Sequence, residues 1–397
     1  MSSKTRTIEC VEYFRGLACL AVLCFHANGA FWRDASPTNI DDLSARGLLT
    51  LTLGWGWLGV SFFFVLSGFC VHLPYAQGRN FAIQEYFVRR FFRIWPPYVA
   101  AVALGLVLGI AAGWDTLANL LSSACLHLVF WIWNLSPLSM RDSSLSPVFW
   151  SIVVEVQLYG FYAIAMYLGW IQRFRLGRLT VFFLAVGFIY TISLNSLALE
   201  RLPNILNPRS FALARFGEWL LGALIAEYSF RSSNTQQNLL NDENYSKWLP
   251  LSLLISIIFL SRIPKIPESV FSVMFAVVLY WAIASENAAS RRTVHEAFSY
   301  WKIVFKYVSD RSYSIYLLHF PCLTIAGEFA ARVAGVSSEN KDRLGGSWYW
   351  LAAIAGGIAL SLVAAELCYR FVERPSHQFA RQIGGSLRAN RSVSIVR

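Results

Sequence analysis

Ten apolar runs, each long enough to cross a lipid bilayer, set the terms on which this 397-residue chain can fold. They lie near 13–31, 52–73, 96–113, 150–170, 179–197, 211–229, 247–263, 269–285, 313–333 and 347–372. In hydrocarbon every backbone N–H and C=O must be satisfied within the protein, and a helix does so within its own segment. The chain is 56% hydrophobic and 14% charged, whereas a soluble domain carries roughly 25% charged residues. The runs therefore predict an all-α fold, a polytopic membrane helix bundle of about ten transmembrane helices. A transmembrane domain is expected over 7–375 and a cytoplasmic polar tail over 376–397.

An eleventh apolar run, 117–134, holds His127 and the segment FWIWN, whose aromatics favour the membrane interface. Charge decides its place. If it does not cross and the N-terminus is inside, the cytoplasmic segments carry 23 Lys and Arg and the outer segments 10. If it crosses, the counts become 15 and 18. The positive-inside rule selects the first arrangement, with both termini cytoplasmic and 117–134 re-entrant or interfacial on the outer side. The net charge of +11 then reads as anchoring on anionic lipid, not as a nucleic-acid surface. Lys4 and Arg6 before an apolar run also fit a signal peptide, but many further spans follow.

The seven cysteines form no CxxC pair or Cys/His ligand cluster, and read as small core residues. His72, His127, His295 and His377 make no metal set. There is no HExxH, no GxSxG elbow, no Walker loop and no GxGxxG. No metal and no permanently bound cofactor is expected.

The first run opens RGLACLAVLCFH, 15–26. Arg15 and His26 are eleven positions apart, close to three helical turns, so both point the same way across about 16 Å. Ionisable groups on one stripe of a span face the bundle interior or a water-filled cavity. A snorkelling arginine above a hydrogen-bonded structural histidine fits the same spacing equally well.

Four further stretches carry polar groups into the spans. FWSIVVEVQLYGFY, 149–162, puts Ser151, Glu155 and Tyr159 on one helix face, with Trp150 beside them. FVRRFFRIWPPY, 87–98, places Arg89, Arg90 and Arg93 just cytoplasmic of the third span, which Pro96 and Pro97 open. These arginines fit either ordinary anchoring or a phosphate clamp for a nucleotide donor. GVSFFFVLSGF, 59–69, brings Ser67 and close-packing glycines. SYSIYLLHFP, 312–321, holds Tyr316 and His319, and FVERP, 371–375, closes the last span. Arg215 and Glu218 also lie in an apolar run, where pattern alone cannot rank them.

Taken in order, the R-x10-H opening, GVSFFFVLSGF, RRFFRIWP, WSIVVEVQLYGFY, SYSIYLLH and ERP resemble the acyltransferase family 3 membrane proteins. These include O-antigen, exopolysaccharide and Nod-factor O-acetyltransferases. The resemblance runs from about Thr7 to Pro375. It implies a bacterial inner-membrane enzyme that moves an acyl group, usually acetyl, from cytoplasmic acyl-CoA to a hydroxyl of an extracytoplasmic glycan or glycolipid. The partners implied are acyl-CoA, that acceptor and membrane lipid, with no nucleic acid.

The family's R-x10-H pair falls on Arg15 and His26, its RxxR-type arginines on Arg90 and Arg93, and its WSxxxE signature on Trp150, Ser151 and Glu155. Many members carry an extra C-terminal SGNH domain; this chain ends too soon for one, which implies a stand-alone member.

On that footing Arg89, Arg90 and Arg93 hold the donor phosphates, and His26 acts as general base. Glu155 orients or charge-balances His26, and Arg15 faces the donor or the developing oxyanion. Direct transfer and a transient acyl-His26 both remain open. Ser67, Trp150, Ser151, Tyr159, Tyr316 and His319 are the candidate lining residues. The competing reading is a proton-coupled membrane transporter that uses the same groups as a relay, against which stands the lack of any inverted repeat.

Overall fold

The computed structural model describes residues 8–29, 54–128, 145–196, 211–231, 243–261, 263, 266–289, 299–337 and 347–396. Among its described residues all the regular structure is helical, without a strand. In chain order the helices are α1 (Glu9–Gly29), α2 (Gly59–Ala76), α3 (Ile83–Ala112), α4 (Leu117–His127), α5 (Trp150–Tyr167), α6 (Trp170–Phe174), α7 (Leu176–Ser196), α8 (Ala212–Arg231), α9 (Glu243–Leu260), α10 (Glu268–Ala289), α11 (Ser299–Val333), α12 (Trp348–Cys368) and α13 (Arg374–Val396).

Among the described residues seven helices are long and apolar enough to cross a bilayer: α1, α2, α3, α7, α10, α11 and α12. The remaining apolar runs fold as α5, α8 and α9, of 18, 20 and 18 residues. The chain is a multi-pass helical membrane bundle. The first part of the eleventh run is α4, whose 11 residues rise only about 16 Å, too short to cross. The Thr116 side chain caps it by accepting from the Asn119 N–H. Its His127 is buried 2.8 Å from the Tyr98 hydroxyl, and residues 129–134 lie outside the described residues.

Helices α2 and α8 approach each other closely at two glycines. A Cβ at Gly68 would lie 1.9 Å from the Trp219 carbonyl oxygen, and one at Gly222 would lie 1.8 Å from the Val65 carbonyl oxygen. Small residues on both sides let backbone meet backbone, which in lipid replaces the hydrophobic drive between helices. The glycine of the LSGF stretch therefore serves helix packing.

Pro96 and Pro97 stand inside α3, which begins at Ile83 and runs through them for 30 residues. Each proline lacks an N–H and so frees the carbonyl four residues earlier. The Phe92 carbonyl, freed by Pro96, accepts from Ser376 Oγ at 2.7 Å. The Arg93 backbone, opposite Pro97, is hydrogen-bonded by His377. Side chains of a neighbouring helix thus satisfy the groups the prolines release. That helix is α13, which occupies the segment read as a polar tail. It continues from α12 through a π-helical turn, Tyr369–Glu373, and packs Phe379 edge-to-face against Phe92 with ring centroids 5.1 Å apart.

Arg215 and Glu218 form a buried ion network between α2, α8 and α10. Arg215 stands 3.0 Å from Glu218 and 3.7 Å from Glu268, and it donates to Ser61 at 2.7 Å. Ser272 donates to Glu218 at 2.6 Å. Pairing of this kind makes buried charges tolerable inside a span.

Candidate active site

A cavity of about 190 Å3 opens where α1, α2, α3, α5 and α11 converge. Arg15, Ser67, Arg90, Arg93, Ser151, Glu155, Tyr159 and Tyr316 all line it. They come from stretches up to 301 positions apart, as Arg15 and Tyr316 show. The helical face predicted for Ser151, Glu155 and Tyr159 is the face of α5 that meets it.

Glu155 is the polar hub. Ser67 donates to its Oε1 at 2.8 Å and Tyr159 donates to the same oxygen at 2.5 Å. Trp219 Nε1 in turn donates to Ser67 Oγ at 3.4 Å. Both hydroxyls spend their single proton on Oε1, so no hydrogen bond from the described residues reaches Oε2. Arg90 lies over the Tyr159 ring, its guanidinium carbon 5.4 Å from the centroid, a cation–π contact. Arg93 faces Glu155 and Glu373 electrostatically, and Glu373 faces Arg15 as well. Two carboxylates therefore face three arginines around one hollow, an excess of positive charge.

Arg89 is placed apart from this group. It pairs with Glu85 one turn away at 2.7 Å and does not line the cavity. Trp150 also lies off the cavity, packed against Val153.

His26 is half-buried and does not line the cavity. Tyr316 stands 2.6 Å from Ser151 Oγ, and both reach the Val148 carbonyl. The His319 ring is 5.6 Å from the Tyr316 ring, and the His26 ring is 5.0 Å from His319. His319 Nε2 lies 3.1 Å from His26 Nδ1. The line Ser151–Tyr316–His319–His26 joins the cavity to the far end of α1. Glu155 does not touch His26 among the described residues; the neighbour of the imidazole is another imidazole.

Several lining residues escaped the sequence reading. Cys70 accepts from Arg15 Nη2 at 3.0 Å, and Ser312 and Tyr313 complete the α11 wall. Ser312 lies one turn before Tyr316, a helical spacing that was available in the motif. Glu373 had a signal only as part of ERP. It is buried because the π-helical turn rotates it inward, where it accepts from Ser314 at 2.5 Å.

The model of the acyltransferase domain that defines family 3 matches residues 8–366, nearly the whole chain. The chain belongs to acyltransferase family 3. Within that family it is 21% identical over 392 residues to the peptidoglycan O-acetyltransferase OatA of Listeria monocytogenes serovar 1/2a. That alignment covers 93% of this chain and 55% of OatA, so the chain spans about half the length of that relative. No solved structure matches it. The cavity and the His26–His319 pair lie inside the span of the family match. Glu373 and α13 lie beyond it.

Proposed function

We propose that this protein is a bacterial inner-membrane O-acyltransferase of ten spans with cytoplasmic termini. It moves an acetyl group from cytoplasmic acetyl-CoA to a hydroxyl of an extracytoplasmic glycan or glycolipid. The observation that carries this reading is the polar cavity lined by Arg15, Arg90, Arg93 and Glu155. Three arginines line it, and the His26–His319 pair is reached from it through Tyr316.

The donor is anionic and the acceptor lies across the membrane. Arg90 and Arg93 hold the donor phosphates by charge-assisted hydrogen bonds, and Arg15 faces the donor arm, whose thioester end reaches on towards His26. Glu155 offsets part of this positive charge, and its Oε2 faces the arriving ligand. His26 takes the proton of the acceptor hydroxyl as that oxygen attacks the thioester carbon. The C–S bond breaks, and the departing thiolate recovers the proton. The OatA relationship supports a glycan as acceptor, since that protein's name specifies peptidoglycan.

The test is mass spectrometry of surface polysaccharides from cells with and without the gene, together with thermal shifts of the purified protein. Loss of acetyl esters in the deletion, and stabilisation by coenzyme A but not by nucleotides lacking the pantetheine arm, are expected. Unchanged acetylation, or equal stabilisation by every nucleotide, would discard the proposal.

A further inference from the structure

We infer that His319 is a positioning residue that fixes the protonation geometry of His26, leaving His26 Nε2 as its basic nitrogen. The inference rests on the acyl-transfer reading, but its geometry stands independently of the donor or acceptor.

The argument is an accounting of protons. His319 Nδ1 lies 2.7 Å from the Tyr316 carbonyl and 3.2 Å from the Ile315 carbonyl. A carbonyl can only accept, so Nδ1 carries the hydrogen. In the neutral ring His319 Nε2 is then a lone pair. That lone pair points at His26 Nδ1, 3.1 Å away, which is also 3.0 Å from the Val22 carbonyl. Both neighbours of His26 Nδ1 are acceptors, so it carries a hydrogen shared between them. The only lone pair left on the neutral His26 ring is Nε2. Each ring is held by its own helix, α1 for His26 and α11 for His319, and the two helices run parallel: Cys19 meets Ser312 lower down.

When Nε2 takes a proton, His26 becomes a cation whose Nδ1–H still faces two acceptors. His319 thus stabilises the charged form without giving up a proton, the role a carboxylate plays beside histidine elsewhere. The imidazole does this without adding a charge to the span, which lipid makes costly. Among the described residues the titratable groups around the pair are Tyr316 of α11 and the two rings themselves. Phe25 and Phe320 pack edge-on to His26, with centroids at 5.1 and 5.9 Å.

The test uses permeabilised membranes carrying the full chain, supplied with radiolabelled acetyl-CoA, with label in the surface glycan as readout. His319→Leu is expected to lower kcat by about 10–100-fold, to leave the donor KM unchanged and to move the acid limb of the pH profile to lower pH. His319→Gln, whose amide oxygen can accept from His26 Nδ1, is expected to recover most of the rate and the wild-type limb. Nitrogen-15 histidine spectra of the His319→Gln protein and of the wild type keep the inference testable if His319→Leu fails to fold. They are expected to show the hydrogen of neutral His26 on Nδ1. A hydrogen on Nε2, or a His319→Leu profile that superimposes on wild type, overturns the inference. Full activity in His26→Ala would instead sink the catalytic reading and leave the tautomer assignment to the spectra.

Discussion

Ser67 of α2 donates to Glu155 of α5 across 2.8 Å, although 88 residues separate them in the chain. Tyr159 donates to the same carboxylate oxygen at 2.5 Å. A carboxylate buried in a span is costly unless its charge is met, and here two hydroxyls and nearby arginines meet it. Ser67→Ala and Tyr159→Phe should each lower stability by about 1.5–3 kcal/mol, the range for hydrogen bonds to charged groups. Since both act on one atom, the double variant should lose less than the sum. Thermal unfolding of the four proteins in detergent measures this. Strict additivity would mean the two bonds are not coupled.

The three arginines of α3 divide into two kinds. Arg90→Ala and Arg93→Ala should raise the acetyl-CoA KM by about 10–100-fold, the equivalent of one charge-assisted bond each. Arg89→Ala removes a pair with Glu85 that lies outside the cavity. Its KM should stay within about twofold of wild type. Comparable losses in all three variants would refute the assignment of Arg89 to a pair outside the cavity.

Gly222→Ala should fail to give a folded protein, because its Cβ would stand 1.8 Å from the Val65 carbonyl oxygen, a backbone atom that cannot step aside. Gly356→Ala meets nothing within 4 Å and removes a flexible residue from α12, where alanine is favoured by about 1 kcal/mol. Size-exclusion profiles after membrane extraction separate the two. A monodisperse Gly222→Ala protein would show that α2 and α8 do not meet this closely.

Ser376→Ala should cost about 1 kcal/mol by stranding the Phe92 carbonyl that Pro96 leaves free. Pro96→Ala restores an N–H opposite that carbonyl. In the Pro96→Ala background the Ser376→Ala loss should therefore shrink. An undiminished loss would place the role of Ser376 elsewhere, for example at the Glu373 carbonyl, which it also meets at 2.9 Å.

Much of the bundle was legible in the residues alone. Each of the ten apolar runs holds a helix among the described residues, because lipid leaves a lone segment no other way to satisfy its backbone. The period of 3.6 placed Ser151, Glu155 and Tyr159 on one face, and the cavity meets that face. What periodicity cannot carry is the partner across the gap. Contact between Glu155 and Ser67 or between His26 and His319 depends on how helices far apart in sequence pack. The same limit left Arg89 indistinguishable from Arg90, since three adjacent cations on one turn look alike until the neighbouring helices choose a side.

The sequence by itself determined a helical membrane bundle with ionisable groups on inward stripes, because burying polar backbone in lipid admits so few solutions. Only the tertiary structure decided that the imidazole of His26 leans on a second imidazole and that Glu155 anchors two hydroxyls instead. It also decided that α13 bonds the backbone groups freed by the prolines. Those pairings turn on ångström-scale approaches between helices, and glycine contacts such as Gly68 on Trp219 set them.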